Sequence, residues 1–128
     1  MPKQTLQLIN NNFTIHSFPP ASEVPSTVLT SDIFFIGKTN DELSIVCDSN
    51  IRLDSEEQES GWRALEVLGP LGFSLTGILS NISGVLASAD ISIFAISTFD
   101  TDYILVKQTH VDTAIQELLK DGYKVLNP

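Results

Sequence analysis

A chain of 128 residues with 42% hydrophobic content is long enough for one ordinary domain or two small ones, and it can build a core without disulfide or metal staples. Sixteen acidic residues against seven basic ones leave a net charge of −9, and such a surface repels phosphate backbones and anionic lipid, which argues against nucleic acid and membrane as partners. No apolar run reaches eighteen residues and the start, MPKQTLQL, lacks the regions of a secretory signal, so a soluble, cytoplasmic protein is expected. The acidity itself reads first as solubility, although a local acidic patch would favour a cationic ligand.

Leu6 to Phe18 includes a strand-like stretch from Phe13 to Phe18, with a bend or bulge expected at Asn10, Asn11 and Asn12. In PPASEVPSTVLTSD, Pro20 can open a helix but Pro25 would interrupt one, because it lacks an amide and clashes with the preceding turn, so a short or broken helix is expected. Asp32 to Lys38 and Glu42 to Cys47 form a hairpin around Thr39, Asn40 and Asp41. The single cysteine, Cys47, cannot form an internal disulfide and reads as a buried, inert thiol. Asp48 to Gly61, rich in acidic residues and serine, reads as a solvated linker or a frayed helix.

A strand at Ala64 to Leu68 follows. Leu75, Ile78, Leu79, Ile82, Val85, Leu86 and Ala89 then recur at three- and four-residue steps, the stripe of an amphipathic helix expected from Ser74 to Ala89. Ile91 to Ile96 and Tyr103 to Val106 are dense in β-branched and aromatic residues and read as a second hairpin of inner strands. Val111, Ala114, Ile115, Leu118 and Leu119 repeat the helical stripe, and Tyr123 to Leu126 closes with a strand. The order strand, helix, strand, strand, helix, strand is the ferredoxin-like arrangement.

The two hairpins align as an internal repeat. Placing Asp41–Val46 on Thr101–Val106 matches Glu42 with Asp102 and Val46 with Val106, at the cost of a two-residue insertion in the later loop. An α+β fold follows, with tandem βαββ-type modules, antiparallel sheets and helices on one face: a degenerate module over 1–60 and a βαββαβ module over 61–128. The core is expected from Ile33, Phe35, Leu43, Ile45, Leu75, Ile78, Ile82, Val85, Ile91, Ile93, Tyr103, Leu105, Ile115 and Leu118.

Gly69-Pro70-Leu71-Gly72-Phe73-Ser74 is a glycine-bracketed loop opening a helix, and the first amides, at Leu75, Thr76 and Gly77, would lack intrahelical partners. Such an end attracts a carboxylate, and Gly77 would let a ligand approach the backbone. The plainer reading makes Ser74 only an N-cap and the glycines only a turn. Facing this loop lie Ser97, Thr98, Phe99, Asp100 and Asp102. A carboxylate beside hydroxyls and a ring can hold an ammonium or guanidinium, so the two elements together suit a zwitterion. Asp100 reads better as a turn cap; for Asp102 a structural role in the turn and a ligand-binding role both stand.

Nothing points to catalysis. His16 and His110 stand in no metal-ligand spacing with Cys47 or a carboxylate, His110 reads as part of a helix cap region, and no nucleophile, phosphate-loop or dinucleotide motif occurs. No catalytic residue, metal or cofactor is expected.

ELSIVCD, the GPLGF loop with the helix after it, and above all ISIFAISTFDTDYILV resemble the ACT-domain proteins related to the CASTOR arginine sensors. The resemblance covers nearly the whole chain. It implies a ferredoxin-like ACT fold, a free amino acid as ligand, allosteric control of an enzyme or partner protein, and binding at an interface between modules. It carries Thr98, Phe99 and Asp102 over as ligand contacts together with Ser74 to Gly77. The arginine sensors contain four such modules and this chain two, so a homodimer is expected to restore the missing partner. The competing class is a ligand-free interaction module, in which the same hairpin and helix start form only a contact surface.

Overall fold

The computed structural model describes residues 3–68 and 77–127. Its chain divides into two units, a small one of Asn11–Trp62 and a large one of Met1–Asn10 with Arg63–Pro128. Both are α+β. In chain order the elements are β1 (Thr5–Leu8), β2 (Phe13–Phe18), α1 (Ser26–Leu29), β3 (Phe34–Lys38), β4 (Leu43–Asp48), β5 (Glu57–Val67), α2 (Ile78–Ser88), β6 (Ile93–Ser97), β7 (Asp102–Lys107), α3 (Val111–Lys120) and β8 (Lys124–Leu126). A 3-10 turn, Gln108–His110, precedes α3.

In the small unit, β2 pairs antiparallel with β4 and with the first part of β5, and β4 pairs antiparallel with β3. One helix, α1, lasts four residues, and Pro25 stands at its N-cap rather than inside it. No second helix forms; residues 49–56 connect β4 to β5 irregularly. The stretch Asp48 to Gly61, expected as linker or frayed helix, therefore contains strand from Glu57 onward. Glutamate and glutamine are poor strand formers, but pairing of Ser17 with Glu57 and Ile15 with Glu59 supplies what propensity does not. The ladder slips between Phe13 and Ile15, opposite Gly61, whose φ of 83° is open to glycine at no steric cost.

In the large unit, β1 lies between β5 and β8, antiparallel to the first and parallel to the second, while β7 pairs with β5 and β6. Alternation puts Leu6, Leu8, Leu65, Val67, Ile104 and Val106 on one face. There they pack with Ile82 and Leu86 of α2 and with Val111, Ala114 and Leu118 of α3, so both helices cover the same side. The first ten residues thus differ from the sequence division at 60 and 61: Leu6 and Leu8 complete this core instead of the small unit's. A surface network ties the segment down. Lys3 Nζ meets Asp121 Oδ2 at 3.0 Å, and Asn81 Nδ2 donates to Asp121 Oδ2 at 3.1 Å and to Tyr123 Oη at 2.5 Å. These hydrogen bonds, Lys3 first, hold the Asp121 carboxyl below its usual range.

Leu43, Ile45, Ile82, Ile91, Leu105 and Leu118 are buried as expected; Ile33, Phe35, Ile78, Val85, Ile93, Tyr103 and Ile115 are only partly so, and Leu75 lies outside the described residues. Cys47 is buried, and burial raises its pKa, followed by the charge of Asp48. On β7, Ile104, Leu105 and Val106 are all buried, as are Ile45, Val46 and Cys47 on β4, so the central strands bury both faces and alternation underestimates them.

The two hairpins share one geometry. Thr39 N donates to Glu42 O at 3.0 Å and Thr98 N to Thr101 O at 2.8 Å; in each, the threonine Oγ1 also receives the amide three residues on, at 3.2 Å. Glu42 therefore corresponds to Thr101 and Leu43 to Asp102. This corrects the sequence alignment by one residue and removes its insertion, because both loops hold four residues.

His16 on β2 is 2% exposed, its Nδ1 is 2.8 Å from Ser55 Oγ, and its Nε2 is buried without a hydrogen-bond partner among the described residues. Burial lowers its pKa below the ordinary 6.5. The neutral form is the one that folds. Its stabilising contribution is therefore complete above pH 6.5, the unfolded value, and is lost as pH falls from there toward the lowered folded value. Urea midpoints measured from pH 8 to 5.5 should fall in the native protein and fall less in His16→Gln; parallel profiles would remove His16 as the cause.

Candidate functional site

The β6–β7 hairpin turns at an end of the large unit's sheet. Thr101 Oγ1 donates to the carbonyl of Val67, the last residue of β5, so the hairpin turn lies at the end of the sheet where β5 finishes. The four-residue loop fixes Ser97 directly opposite Asp102, and Ser97 Oγ donates to Asp102 Oδ1 at 2.5 Å. That bond leaves Oδ2 of a half-buried carboxylate at the strand end. Thr98 is committed to the turn, its hydroxyl donating to Thr101 O at 3.1 Å. Phe99 projects from the tip with 83% of its surface exposed.

Tyr103 and Glu66 were not foreseen here. Tyr103 Oη donates to Glu66 Oε2 at 3.3 Å, and burial raises the tyrosine pKa, with Glu66 and then Asp100 adding to it. The signal was the position of Tyr103 beside Asp102, but its partner on β5 became visible only with strand order.

The helix begins later than the pattern implied. α2 starts at Ile78, and Gly77 is its N-cap in the left-handed conformation, φ 79°, with no side-chain cap. The first intrahelical bond runs from Asn81 N to Gly77 O at 2.9 Å. The first-turn amides without an intrahelical partner are accordingly those of Ile78, Leu79 and Ser80, and Gly77 precedes them. Ser74, Leu75 and Thr76 lie outside the described residues. No acidic side chain stands in the first turn, and the helix carries no charge at all, so nothing on it neutralises its positive end.

A groove of about 280 Å³ lies elsewhere, between α2 and α3, lined by Val85, Ser88, Ala89, Glu117, Lys120 and Asp121. It includes none of the hairpin residues, and its Lys120 and Glu117 are already paired at 3.6 Å. Among the described residues no three His, Cys, Asp or Glu side chains stand together as metal ligands, and no helix is long and apolar enough to cross a membrane.

A ferredoxin-like α+β module with a polar hairpin turn and an uncapped helix start is the class that fold and site define. The ACT-domain family profile matches residues 57–120, half of the chain, and the chain belongs to the ACT-domain family. It is 35% identical to the human cytosolic arginine sensor for mTORC1 subunit 1 over 92% of this chain and 39% of that protein. The chain thus spans about two-fifths of the length of the curated relatives it matches. A crystal structure of an Agobacterium tumefaciens protein superposes with a TM-score of 0.91, at 29% identity, over 100% of this chain and 96% of that one. The Clostridium acetobutylicum aspartate kinase shares the fold at a TM-score of 0.65 and 16% identity, over 88% of this chain and 33% of that chain.

Proposed function

We propose that this chain is a cytosolic, amino-acid-binding regulatory module. The observation that carries the proposal is the half-buried Asp102, one oxygen held by Ser97 and the other without a hydrogen-bond partner among the described residues, at the turn end of the hairpin inside the family-matched segment. The ligand's cationic group sits against Asp102, Ser97 and Thr98 with Phe99 as a ring face, and its carboxylate is received by Ser74, Leu75, Thr76 and Gly77, the residues that precede α2 in the chain. Arginine is the first ligand to test, since relatives at 34–36% identity are named arginine sensors.

The two units are ACT-like modules, the earlier one degenerate, having lost its second helix. A second copy of the chain supplies further modules, and binding changes that assembly or a regulated enzyme or partner protein. Support for the second copy is the outer strand β6: from Ile91 to Phe99 no side chain is ionisable, in a chain of net charge −9, so it is a strip on which two acidic molecules can approach.

A thermal-shift screen of the free amino acids tests the proposal. A ligand that binds only the native state at a hundred times its Kd adds about 2.7 kcal/mol, and the melting temperature should rise by several degrees with arginine. If no amino acid moves it, the competing class, a ligand-free interaction module in which the Ser97–Asp102 bond only closes the hairpin, takes its place.

A further inference from the structure

The two units cover their sheets unequally. In the large unit α2 and α3, of 11 and 10 residues, lie over the apolar face. In the small unit the only helical cover is α1, of four residues after Pro25, of whose side chains only Val28 is buried, and Val24, Ile51 and Leu53 from the connections beside it pack on the same cluster. The small unit's sheet nevertheless presents the same kind of face. Strand pairing places Phe34 beside Cys47, Ile36 beside Ile45 and Phe18 beside Leu43, all on the side where Val28 packs. What α1 leaves uncovered is apolar: Ile36 is 39% exposed on β3, Leu29 is 55% exposed on α1, and Phe18 and Phe34 are only partly buried. β3 is also the outermost strand of its unit.

Charge is distributed as unequally as helix. Asn11–Trp62 carries nine carboxylates against Lys38 and Arg52, a net −7 of the chain's −9. Exposed acids bracket the apolar run of β3, with Asp32 before it and Asp41 and Glu42 at the hairpin turn after it. The one cation on the strand, Lys38, turns back onto the Thr39 carbonyl at 2.8 Å. An apolar strip rimmed by carboxylates selects its complement by sign as well as by shape.

We infer that the α1 side of the small unit's sheet is a docking surface for an amphipathic helix of a partner protein, one whose apolar stripe is flanked by Lys and Arg. The large unit shows the form such a cover takes: α3 buries Val111, Ala114 and Leu118 at three- and four-residue steps on an equivalent face. A second copy of this chain does not meet the requirement. It brings another −9, and α3, its charged helix, has its apolar stripe already buried and places Asp112 and Glu117 on its polar side.

The test uses the whole chain and two synthetic 18-residue helical peptides with the same leucine stripe, one carrying lysine at the flanking positions and the other glutamate. Fluorescence anisotropy should show the lysine peptide binding at least tenfold more tightly than the glutamate peptide, and more weakly as salt rises. Amide exchange in the complex should slow at Leu29 and along Phe34–Lys38. Ile36→Ser and Leu29→Ser should each weaken binding several-fold while leaving the melting temperature nearly unchanged, since both side chains are exposed already. Asp32→Asn with Asp41→Asn should flatten the salt dependence without altering the fold. Protection appearing elsewhere, or equal binding by the Ile36→Ser chain, overturns the inference. So does sedimentation in which Ile36→Asp turns a peptide-free dimer into a monomer, because a second copy would then be the occupant.

Discussion

Leu6→Ala is expected to lower the unfolding free energy by about 2–5 kcal/mol, the range for a leucine removed from a closed core. Leu6 has no exposed surface. It sits on β1 between Val67 of β5 and Val125 of β8, under the α2 and α3 stripe. β1 itself is hydrogen-bonded on both sides, to β5 and to β8, so the site collapses poorly into the space, which places the loss in the upper part of the range. Leu126→Ala, at a side chain 49% exposed on β8, should cost well under half as much. Urea denaturation of both variants gives the comparison, and amide exchange locates it. Protection should fall at Leu65–Val67 and Lys124–Leu126 and hold at the β3–β4 ladder. A loss below about 1 kcal/mol, or one centred on β3 and β4, would show that β1 does not belong to the large unit's core.

That assignment is where reading the chain in order misleads. Leu6 to Phe18 is broken only by three asparagines, and a bend inside one strand accounts for them as simply as a break between two strands of different units. What separates β1 from β2 is pairing: Leu6 meets Val67 near the end of β5, whereas Phe13 meets Trp62 and the rest of β2 follows the earlier part of β5 beyond the slip at Gly61. Local pattern carries no information about partners sixty residues away. The same holds for Glu57 to Gly61, whose composition belongs to a linker and whose conformation is imposed by β2.

Where structure is local, the chain is legible. Both hairpins follow from β-branched runs around short polar loops, and α3 from a single clear stripe. α2 is legible in its stripe but not in its start. Ser74 offers a capping hydroxyl, yet the backbone enters the helix at Gly77, whose positive φ a side chain would resist. The candidate site divides in the same way. Its residue types are evident from the sequence, but the Ser97–Asp102 bond depends on a register that only the four-residue loop decides, and the one-residue shift in the repeat moves Asp102 from opposite Glu42 to opposite Leu43.

That shift also sharpens what Asp102→Asn should do. At the equivalent place in the other hairpin the chain has Leu43, which is buried, so the position asks for a side chain that packs rather than one that is charged. Carboxylates are depleted in strands, and a half-buried one at a strand end needs compensation. Ser97 supplies one hydrogen bond to Oδ1, and an asparagine can accept that bond through its amide oxygen. The unliganded melting temperature of Asp102→Asn is therefore expected to stay within a degree or two of the native protein. A ligand cation, by contrast, loses the charge. Removing one charge-assisted contact costs about 1.5–3 kcal/mol, or roughly ten- to a hundred-fold in affinity. With the amino acid found by the screen, titration calorimetry should register that loss, and most of the ligand-induced thermal shift should vanish with it. Ser97→Ala separates the two functions of the carboxylate: it releases Oδ1 while keeping the charge, so affinity should fall only a few-fold. If Asp102→Asn binds the amino acid normally, or melts far below the native protein without it, the carboxylate serves the hairpin alone and the ligand site lies elsewhere.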